Sequence, residues 1–227
     1  MKNYSAFDIL GPIMIGPSSS HTAGAARLAK IAAKIAGGKI KKVRFLLHGS
    51  FAKTYRGHGT DRALVAGILG MDPKDERLRT SMEIAKEEGL EFSFEEVDLG
   101  DDVHPNTVKF ILTTEDGTEV TIVGSSIGGG NIEIFEVEGQ KLRFTGEYPT
   151  LIINHIDVPG VIYKVTTILY KHDVNIATMN VYRKAKGKEA AMVVEIDHAI
   201  NDSILKEIEN VEQIISVDQI VPPKEGE

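Results

Sequence analysis

Apolar and polar positions near the start of the chain follow a helical spacing and then a strand-like one. Over residues 23–36, apolar residues recur every three or four positions, whereas Arg27, Lys30 and Lys34 fall on another face. This spacing predicts an amphipathic helix with a basic polar face. Residues 42–48, KVRFLLH, predict a strand that follows it.

The next stretch lacks a clear period. Residues 48–61, HGSFAKTYRGHGTD, are polar and rich in glycine, which predicts a loop. Thr60 or Asp61 is then expected to cap a second helix that continues through Ile68. Residues 75–88 predict a charged, amphipathic helix.

The middle of the chain changes to short segments rich in β-forming residues. Asp116 and Gly117 predict a hairpin turn between two of them. Two polar interruptions stand out, DDVHPN at residues 101–106 and SSIGGGN at residues 125–131. The first domain is therefore expected to be α plus β, with polar loops between the elements. The predicted strands are residues 92–99, 107–114, 119–124, 132–137 and 142–145.

A second pattern follows a linker at residues 147–149. Strands are predicted at residues 151–155, 176–182, 190–196 and 214–221. A helix follows the DVPG turn after the first strand, and Asn201 or Asp202 is expected to start another before the last strand. The order β-α-β-β-α-β predicts a split βαβ sandwich. The tail at residues 224–227 is expected to be frayed.

Composition narrows the class of protein. The length of 227 residues suits two domains. A net charge of −7 without a long basic run argues against partners such as nucleic acid or an anionic membrane. The N-terminal stretch has too short an apolar run for a signal peptide, and no run reaches the ~20 residues of a spanning helix. We therefore expect a cytoplasmic protein.

The segment GPSSSHT at residues 16–22 is the first candidate site. It places three serines, His21 and Thr22 directly before a predicted helix. The first N–H groups of a helix are unpaired and its dipole favours an anion, so a carboxylate or a phosphate suits this position. The alternative is simple N-capping by one hydroxyl, which does not require three serines in a row followed by a histidine.

Two histidines and a run of glycines form the other candidates. His58 lies between glycines and His104 precedes a proline; each is a candidate for proton transfer or a plain loop histidine in water. The three glycines after Ser126 predict either a bulge or tight turn or a bed of N–H donors, without the pattern of a nucleotide loop. No histidine pair has the helical spacing of metal ligands, so no zinc site is expected.

Taken in order, these motifs resemble one family. GPSSSHT, the HGS to GHGTD run, HPN and SIGGGN occur here as they do in iron–sulfur-dependent L-serine dehydratases. Residues 1–146 resemble the beta chain of the two-subunit form. Residues 150–222 resemble an ACT domain through the DVPG turn and the β-α-β-β-α-β order. The resemblance implies an α+β protein, with an N-terminal mixed α/β domain of the allosteric-substrate-binding type and a ferredoxin-like ACT domain.

The resemblance also implies an activity, a cofactor and a partner. Members convert L-serine to pyruvate and ammonia with a [4Fe–4S] cluster in which one incompletely ligated iron is expected to bind the serine hydroxyl. Its cysteine ligands are expected to come from the alpha chain, which agrees with the absence of cysteine in this sequence.

The resemblance assigns roles to individual residues. His58, ranked first, and His104 are the expected acid–base residues. Thr60 and Asp61 are expected to orient the loop that carries His58. The residues expected to hold the substrate or line its site are Ser18, Ser19, Ser20, His21, Thr22, Asn106, Ser126, Gly128, Gly129 and Gly130.

The ACT-like part is expected to mediate regulation or self-association. The alternative for this part is a dimerisation sandwich without a ligand. For the whole chain, the alternatives are a stand-alone amino-acid sensor and an assembly subunit that only supports a catalytic partner. The positions that match an ACT effector site are Asn154, Asp157, Pro159, Gly160 and Val161, with Asn175 and Ile176 opposite.

Overall fold

The computed structural model describes residues 13–183 and 185–222. Its contacts divide the chain into two compact units, with the boundary between Gln140 and Lys141. The tail that is predicted to be frayed lies outside the described residues. So does most of the N-terminal stretch that was tested as a signal peptide. Among the described residues, no helix is long and apolar enough to cross a membrane.

Helices and one crossover make up the first part of unit 1. A π-helical segment leads without a break into α1, and the residues between β1 and β2 form the crossover that joins these two parallel strands. The elements are the π-helical segment Ser19–Gly24, α1 (Ala25–Ala36), β1 (Ile40–Leu47), α2 (Gly49–His58), α3 (Thr60–Ile68), the 3₁₀ turn Glu76–Thr80, α4 (Ser81–Glu87) and β2 (Glu91–Glu96).

A six-stranded sheet supports these helices. Its order is β2-β1-β3-β4-β5-β6, and the pairs β1–β3, β3–β4 and β4–β5 are antiparallel. Asp116 and Gly117 lie in the turn between β3 and β4, as predicted. The further strands are β3 (Thr107–Thr114), β4 (Glu119–Gly128), β5 (Asn131–Val137) and β6 (Gln140–Phe144).

Small residues bring α1 and α3 close together over the sheet. A Cβ added at Gly67 would lie 2.3 Å from the carbonyl oxygen of Ala26, so only glycine fits at this crossing. Leu28 of α1 and Leu64 of α3 are fully buried, together with Phe110 of β3. This packing fixes α1 on the sheet, and α1 in turn fixes the π-helical segment before it.

Four predictions for unit 1 are wrong in detail. The loop expected over residues 48–61 is mostly helix α2, because Phe51 and Ala52 are buried and anchor that helix. Gly59, at φ +71°, separates α2 from α3, so the N-cap of α3 is Gly59 and neither Thr60 nor Asp61 caps it.

The other two differences concern the ends of helices and strands. The helix expected over residues 75–88 is divided into a 3₁₀ turn and α4. The strand expected to end at Gly124 continues through Gly128, because Gly124, Ser125, Ser126 and Gly128 pair with β5. Only Gly129 and Gly130 therefore remain in the turn between the two strands.

Unit 2 has the predicted β-α-β-β-α-β order. Its four strands form an antiparallel sheet in the order β10-β7-β9-β8, and Asn201 caps α6 by accepting a hydrogen bond from the backbone N–H of Ile204. The elements are β7 (Thr150–Ile156), α5 (Val161–Lys171), β8 (Ile176–Arg183), β9 (Glu189–Ile196), α6 (Asp202–Glu209) and β10 (Ile214–Ile220).

The central strand β9 is more deeply buried than an alternating pattern predicts. Every residue from Ala190 to Ile196 is buried, including the carboxylate residue Glu195. Glu195 accepts hydrogen bonds from the backbone N–H and the hydroxyl of Thr145 and from the hydroxyl of Thr178. These donors compensate the carboxylate for the water that it loses on burial.

Candidate active site

The last four residues of the GPSSSHT segment, from Ser19 to Thr22, lie in the π-helical segment, so the motif does not simply precede a helix. The hydroxyl of Ser18 accepts a hydrogen bond from the backbone N–H of His21 at 3.2 Å, which makes Ser18 the N-cap. The N–H of Thr22 donates to the carbonyl of Ser18 at 2.9 Å, and Thr22 is buried. The capping interpretation therefore holds for Ser18, whereas Ser19 and Ser20 have no capping role in this turn.

His21 lies at the centre of the site and contacts its own turn and both ends of α2. Its Nδ1 lies 3.2 Å from Ser20 Oγ, and its Nε2 lies 3.2 Å from Ser50 Oγ in the first turn of α2. The centroids of the His21 and Phe51 rings lie 5.1 Å apart in an edge-to-face contact. The centroids of the His21 and His58 rings lie 4.9 Å apart. The structure thus brings together His21 and His58, which are 37 positions apart in the sequence.

The surroundings of His21 disfavour its charged form. Burial lowers the pKa of His21, and the neighbouring His58 lowers it further. The imidazole of His21 is therefore neutral at physiological pH, as a proton acceptor or a neutral hydrogen-bond partner must be.

His58 is exposed at the end of α2, with its hydrogen bond directed back along the helix. Its Nδ1 lies 3.4 Å from the carbonyl oxygen of Thr54, which can only accept, so Nδ1 carries the proton in the neutral ring. The backbone carbonyl of His58 accepts from the hydroxyl of Thr22 at 3.5 Å. Nε2 of neutral His58 is consequently the unprotonated nitrogen, which is the one a general base uses.

His104 has the opposite arrangement in the HPN loop, residues 104–106. The N–H of Asn106 donates to Nδ1 of His104 at 3.1 Å, so the proton of the neutral ring is on Nε2. The Thr107 hydroxyl donates to the carbonyl of His104 at 2.6 Å. The exposed ring of His104 therefore presents an N–H donor, whereas that of His58 presents an acceptor.

Backbone hydrogen bonds hold the HPN loop against two other parts of the site. The N–H of Phe51 donates to the carbonyl of Pro105 at 3.3 Å, and the N–H of Ser126 donates to the carbonyl of Asn106 at 3.0 Å. Ser126 is fully buried, and its hydroxyl donates to the carbonyl of Ser20 at 2.9 Å. The side chain of Ser126 thus supports the π-helical segment.

The remaining predicted residues lie at the end of β4, in the glycine turn after it and at the start of α3. Gly128, Gly129 and Gly130 all have positive φ, and Arg27 donates to the carbonyl of Gly130 at 3.2 Å. Thr60 is buried and its hydroxyl has no hydrogen-bond partner among the described residues. Burial raises the pKa of Asp61, whose carboxylate accepts from the N–H of Arg62.

In unit 2, the residues predicted to bind an effector fall at two ends of the sheet. Both β7 and β8 pair with β9, and this pairing places Ile176 at the same end of the sheet as Thr150. Asp157 follows β7 at the other end. The six residues of strand between the two ends span about 20 Å. Within one copy, the structure therefore does not bring Asn175 and Ile176 together with the residues of the DVPG turn.

Several of these residues already have partners within unit 2. Asp157 forms an ion pair with Arg183, with atoms 2.9 Å apart, and accepts from the N–H of Gly187. Asn154 donates to Ser216, and Asn175 donates to Asp197. In the same turn, Pro159 is exposed, Gly160 is the N-cap of α5 at φ +94°, and Val161 is buried.

Comparison with known proteins assigns the chain to a family. The family model described as the serine dehydratase beta chain matches residues 5–136, and the model of the ACT domain matches residues 150–213. The chain belongs to the serine dehydratase beta chain family.

Curated relatives extend the match over nearly the whole beta chain. The L-serine dehydratase beta chain of Peptoniphilus asaccharolyticus is 45% identical over 213 residues, 94% of this chain and 96% of the relative. The probable L-serine dehydratase beta chain of Bacillus subtilis is 44% identical over 97% of this chain and 99% of the relative. D-3-phosphoglycerate dehydrogenase of Bacillus subtilis is 38% identical over 62% of this chain and 26% of its own length.

Ser50 and Phe51 are not among the residues predicted for the site. Both contact His21, and the signal for them is visible once residues 49–58 are recognised as a helix. Ser50, Thr54 and His58 are then spaced four residues apart and lie on one helical face. A loop assignment conceals this spacing.

An iron–sulfur cluster does not fit the side chains of the beta chain alone. Cysteine thiolates hold such clusters, and the sequence contains no cysteine. Among the described residues, no group of three or more histidine, aspartate and glutamate side chains is placed to hold a metal ion.

Proposed function

We propose that this chain is the beta subunit of an L-serine ammonia-lyase and supplies acid–base residues to an active site shared with an alpha chain. The observation that carries this proposal is the cluster in which the rings of His21 and His58 lie 4.9 Å apart among the hydroxyls of the GPSSSHT segment and α2. The names of the beta-chain relatives supply the reaction class and the substrate, L-serine.

The chemistry of serine dehydration sets the requirements. A base removes the proton from Cα, and the hydroxyl leaves from Cβ as water, which gives aminoacrylate. Aminoacrylate tautomerises to an imine, and water converts the imine to pyruvate and ammonia. The chain must therefore fix the amino acid so that a base meets the Cα proton, and it must place a proton donor on the opposite part of the substrate.

The two exposed histidines suit these two tasks through their tautomers. Neutral His58 has a free lone pair on Nε2 and is the proposed base for the Cα proton. Neutral His104 has a proton on Nε2 and is the proposed donor. His21 is neutral and packed behind His58, where it adds no competing positive charge as His58 takes up a proton.

The surrounding residues are proposed to bind and orient the substrate. Ser19 and Ser20, with the N–H groups of the π-helical segment, would hold the carboxylate of serine. Gly128, Gly129 and Gly130 would form a backbone wall without side chains in the way of the ligand. Asn106 lies beside His104 and would complete the polar lining.

The [4Fe–4S] cluster is proposed to belong to the alpha chain. Its cysteines would supply the thiolate ligands that this chain lacks, and the cluster would act as a Lewis acid on the substrate hydroxyl. The site in this chain is then one half of the complete active site.

Reconstitution with a cysteine-bearing alpha chain tests the proposal. The complex is expected to be brown and oxygen-sensitive and to convert L-serine to pyruvate. His58→Ala and His104→Ala are each expected to lower turnover by ~10²-fold or more, the usual effect of losing a general acid or base. His198→Ala, an exposed histidine of unit 2, is the matched control.

Near-normal turnover in either variant would remove that histidine from the catalytic assignment. Serine binding by this chain alone, with no activity gained from the alpha chain, would favour the amino-acid sensor instead. That outcome would separate a regulatory module from half of an enzyme.

We also propose that the ACT domain associates with a second copy of itself. One copy places the two halves of the predicted effector set at opposite ends of its sheet, so a complete set requires residues from two copies. The strand β8 is an edge strand of the four-stranded sheet and has only β9 as a neighbour there.

A further inference from the structure

We propose that Ser50 is a positioning residue that holds the ring of His21 in the orientation that faces His58. The inference rests on the proposed function, because it assigns Ser50 to the acid–base machinery of that site.

The two nitrogens of His21 are bonded to different parts of the chain. Nδ1 contacts only hydroxyls of its own turn, Ser20 Oγ at 3.2 Å and Ser18 Oγ at 3.4 Å, which move together with His21. Nε2 contacts Ser50 Oγ at 3.2 Å, and Ser50 lies 29 positions away on α2. Among the hydrogen bonds of the described residues, the bond to Ser50 therefore connects the imidazole of His21 to another element.

The ring needs such a tie because its terminal torsion is soft. Rotation of an imidazole about χ2 has a broad, roughly two-fold profile, so packing alone restrains it weakly. The centroids of the Phe51 and His21 rings lie 5.1 Å apart in an edge-to-face contact, which carries no hydrogen bond to the imidazole nitrogens. The contacts at Nδ1 restrain this torsion relative to the turn of His21, and the hydrogen bond at Nε2 sets the ring relative to α2, which carries His58.

Ser50 itself is held rigidly by the start of α2. Gly49 has φ +59°, and a Cβ added there would lie 2.7 Å from both Cα and the carbonyl oxygen of Pro105. The N–H of Phe51 donates to the same carbonyl. The HPN loop therefore sets the position of Ser50, and Ser50 connects that loop to His21.

Removal of the Ser50 hydroxyl tests the proposed positioning role. In the complex reconstituted with the alpha chain, Ser50→Ala is expected to lower kcat about tenfold, the effect of one lost hydrogen bond of ordinary strength, with less change in KM. Ser50→Thr keeps the hydroxyl and is expected to recover most of kcat. Lys53→Ala, on the exposed side of the same helix, is the matched control and is expected to retain the activity of the wild type.

A double-mutant cycle shows whether Ser50 acts through His21. If it does, Ser50→Ala causes no further loss of kcat in a His21→Ala background. Losses that multiply in the double variant would overturn the proposal, as would wild-type kcat in Ser50→Ala.

A spectroscopic measurement tests the proposal without an enzyme assay. In the full chain alone, labelled with ¹⁵N at the histidine rings, Ser50→Ala is expected to shift the Nε2 resonance of His21 and its titration, whereas Lys53→Ala leaves both unchanged. An unchanged His21 resonance in folded Ser50→Ala would refute the bond. Ser50→Cys, which keeps the volume, replaces Ser50→Ala if the alanine variant does not fold.

The two proposals can fail separately. A wild-type complex that does not dehydrate serine would contradict the proposed function, while the resonance of His21 would still decide whether Ser50 holds the ring. If the wild-type complex is active but the effects of Ser50→Ala and His21→Ala add in the double variant, only the role of Ser50 is contradicted.

Discussion

The ammonium group of Lys30 lies 2.7 Å from the carboxylate of Asp72, and 9% of the lysine side chain is exposed. The helical pattern of α1 predicts Lys30 on the polar face, and the structure places it at the margin of the buried face instead. A charge in this position needs its partner, since removing one member of a buried pair leaves the other without compensation.

Asp72→Ala is expected to destabilise the protein by about 2–3 kcal/mol, somewhat less than for a fully buried pair because Asp72 is partly exposed. Urea unfolding at neutral pH measures the change. The control is Glu95→Ala, which breaks the exposed pair with Arg44 and should destabilise the protein much less, because water screens an exposed pair. Equal effects of the two substitutions would contradict the burial argument.

His21 is also expected to make stability depend on pH. Its pKa is lower in the folded state than the ordinary value near 6.5, so the unfolded chain takes up a proton first as the pH falls. The stability associated with neutral His21 is therefore complete above about pH 6.5 and is lost as the pH falls below it.

The comparison is between the wild type and His21→Gln, with the free energy of unfolding in urea measured at about pH 7.5 and about pH 5.5. The wild type should lose more stability between these two values than the variant does. A parallel loss in both proteins would show that His21 is not responsible.

At the scale of elements, α2 determines the geometry of the site. Its first residue, Gly49, has a positive φ and touches Pro105, whereas Gly57 in its last turn has no atom within 4 Å of an added Cβ. The same helix thus contains one glycine that the structure requires and one that it does not. This contrast offers a test within a single element.

Gly49→Ala is expected to destabilise the protein by roughly 2 kcal/mol or more, because it combines backbone strain with a clash against the HPN loop. Gly57→Ala is expected to stabilise it by about 0.5–1 kcal/mol, because alanine costs less entropy inside a helix. Thermal and urea unfolding of both variants measure these changes. A stable Gly49→Ala would mean that the contact between α2 and Pro105 is not tight.

Elements could be predicted from the sequence where the apolar period was long and uninterrupted. The helix carrying Val161, Val165 and Leu169 is an example, and its three residues are buried as expected. Helix α2 was missed because three glycines interrupt a polar segment, and local composition outweighs the two buried anchors of that helix. The motif residues were found, but their arrangement around His21 depends on packing between distant segments, which no local pattern contains.

At the scale of the whole molecule, the chain is proposed to supply half of an active site, and it contains one ACT domain. Neither is proposed to work in isolation, since the first needs an alpha chain and the second needs another copy. The strand β8 is one of the two edge strands of the sheet in unit 2, the other being β10, and Val181 on β8 is 40% exposed.

A charge on this edge is expected to weaken self-association. Val181→Glu should shift the full chain toward the monomer, with a loss of affinity of about tenfold or more, because charged residues on an edge strand oppose pairing. Sedimentation velocity measures the shift. Tyr170→Glu, on the exposed face of α5, is the control. If only the control variant dissociates, association runs through the helical face.

The π-helical segment has a consequence for tolerated changes in chain length. A π turn holds more residues than an α turn, and Ser19–Gly24 continues directly into α1, whose buried face is fixed on the sheet. After deletion of Ala23, ordinary α winding would offset the lost residue and keep His21 on its present side of α1, whereas retained π winding would rotate His21 away from His58 and Ser50. A single-codon deletion here is therefore expected to keep His21 in the site only if the segment rewinds as an α turn. The spacing between His21 and α1 is as much a part of the site as the residues themselves.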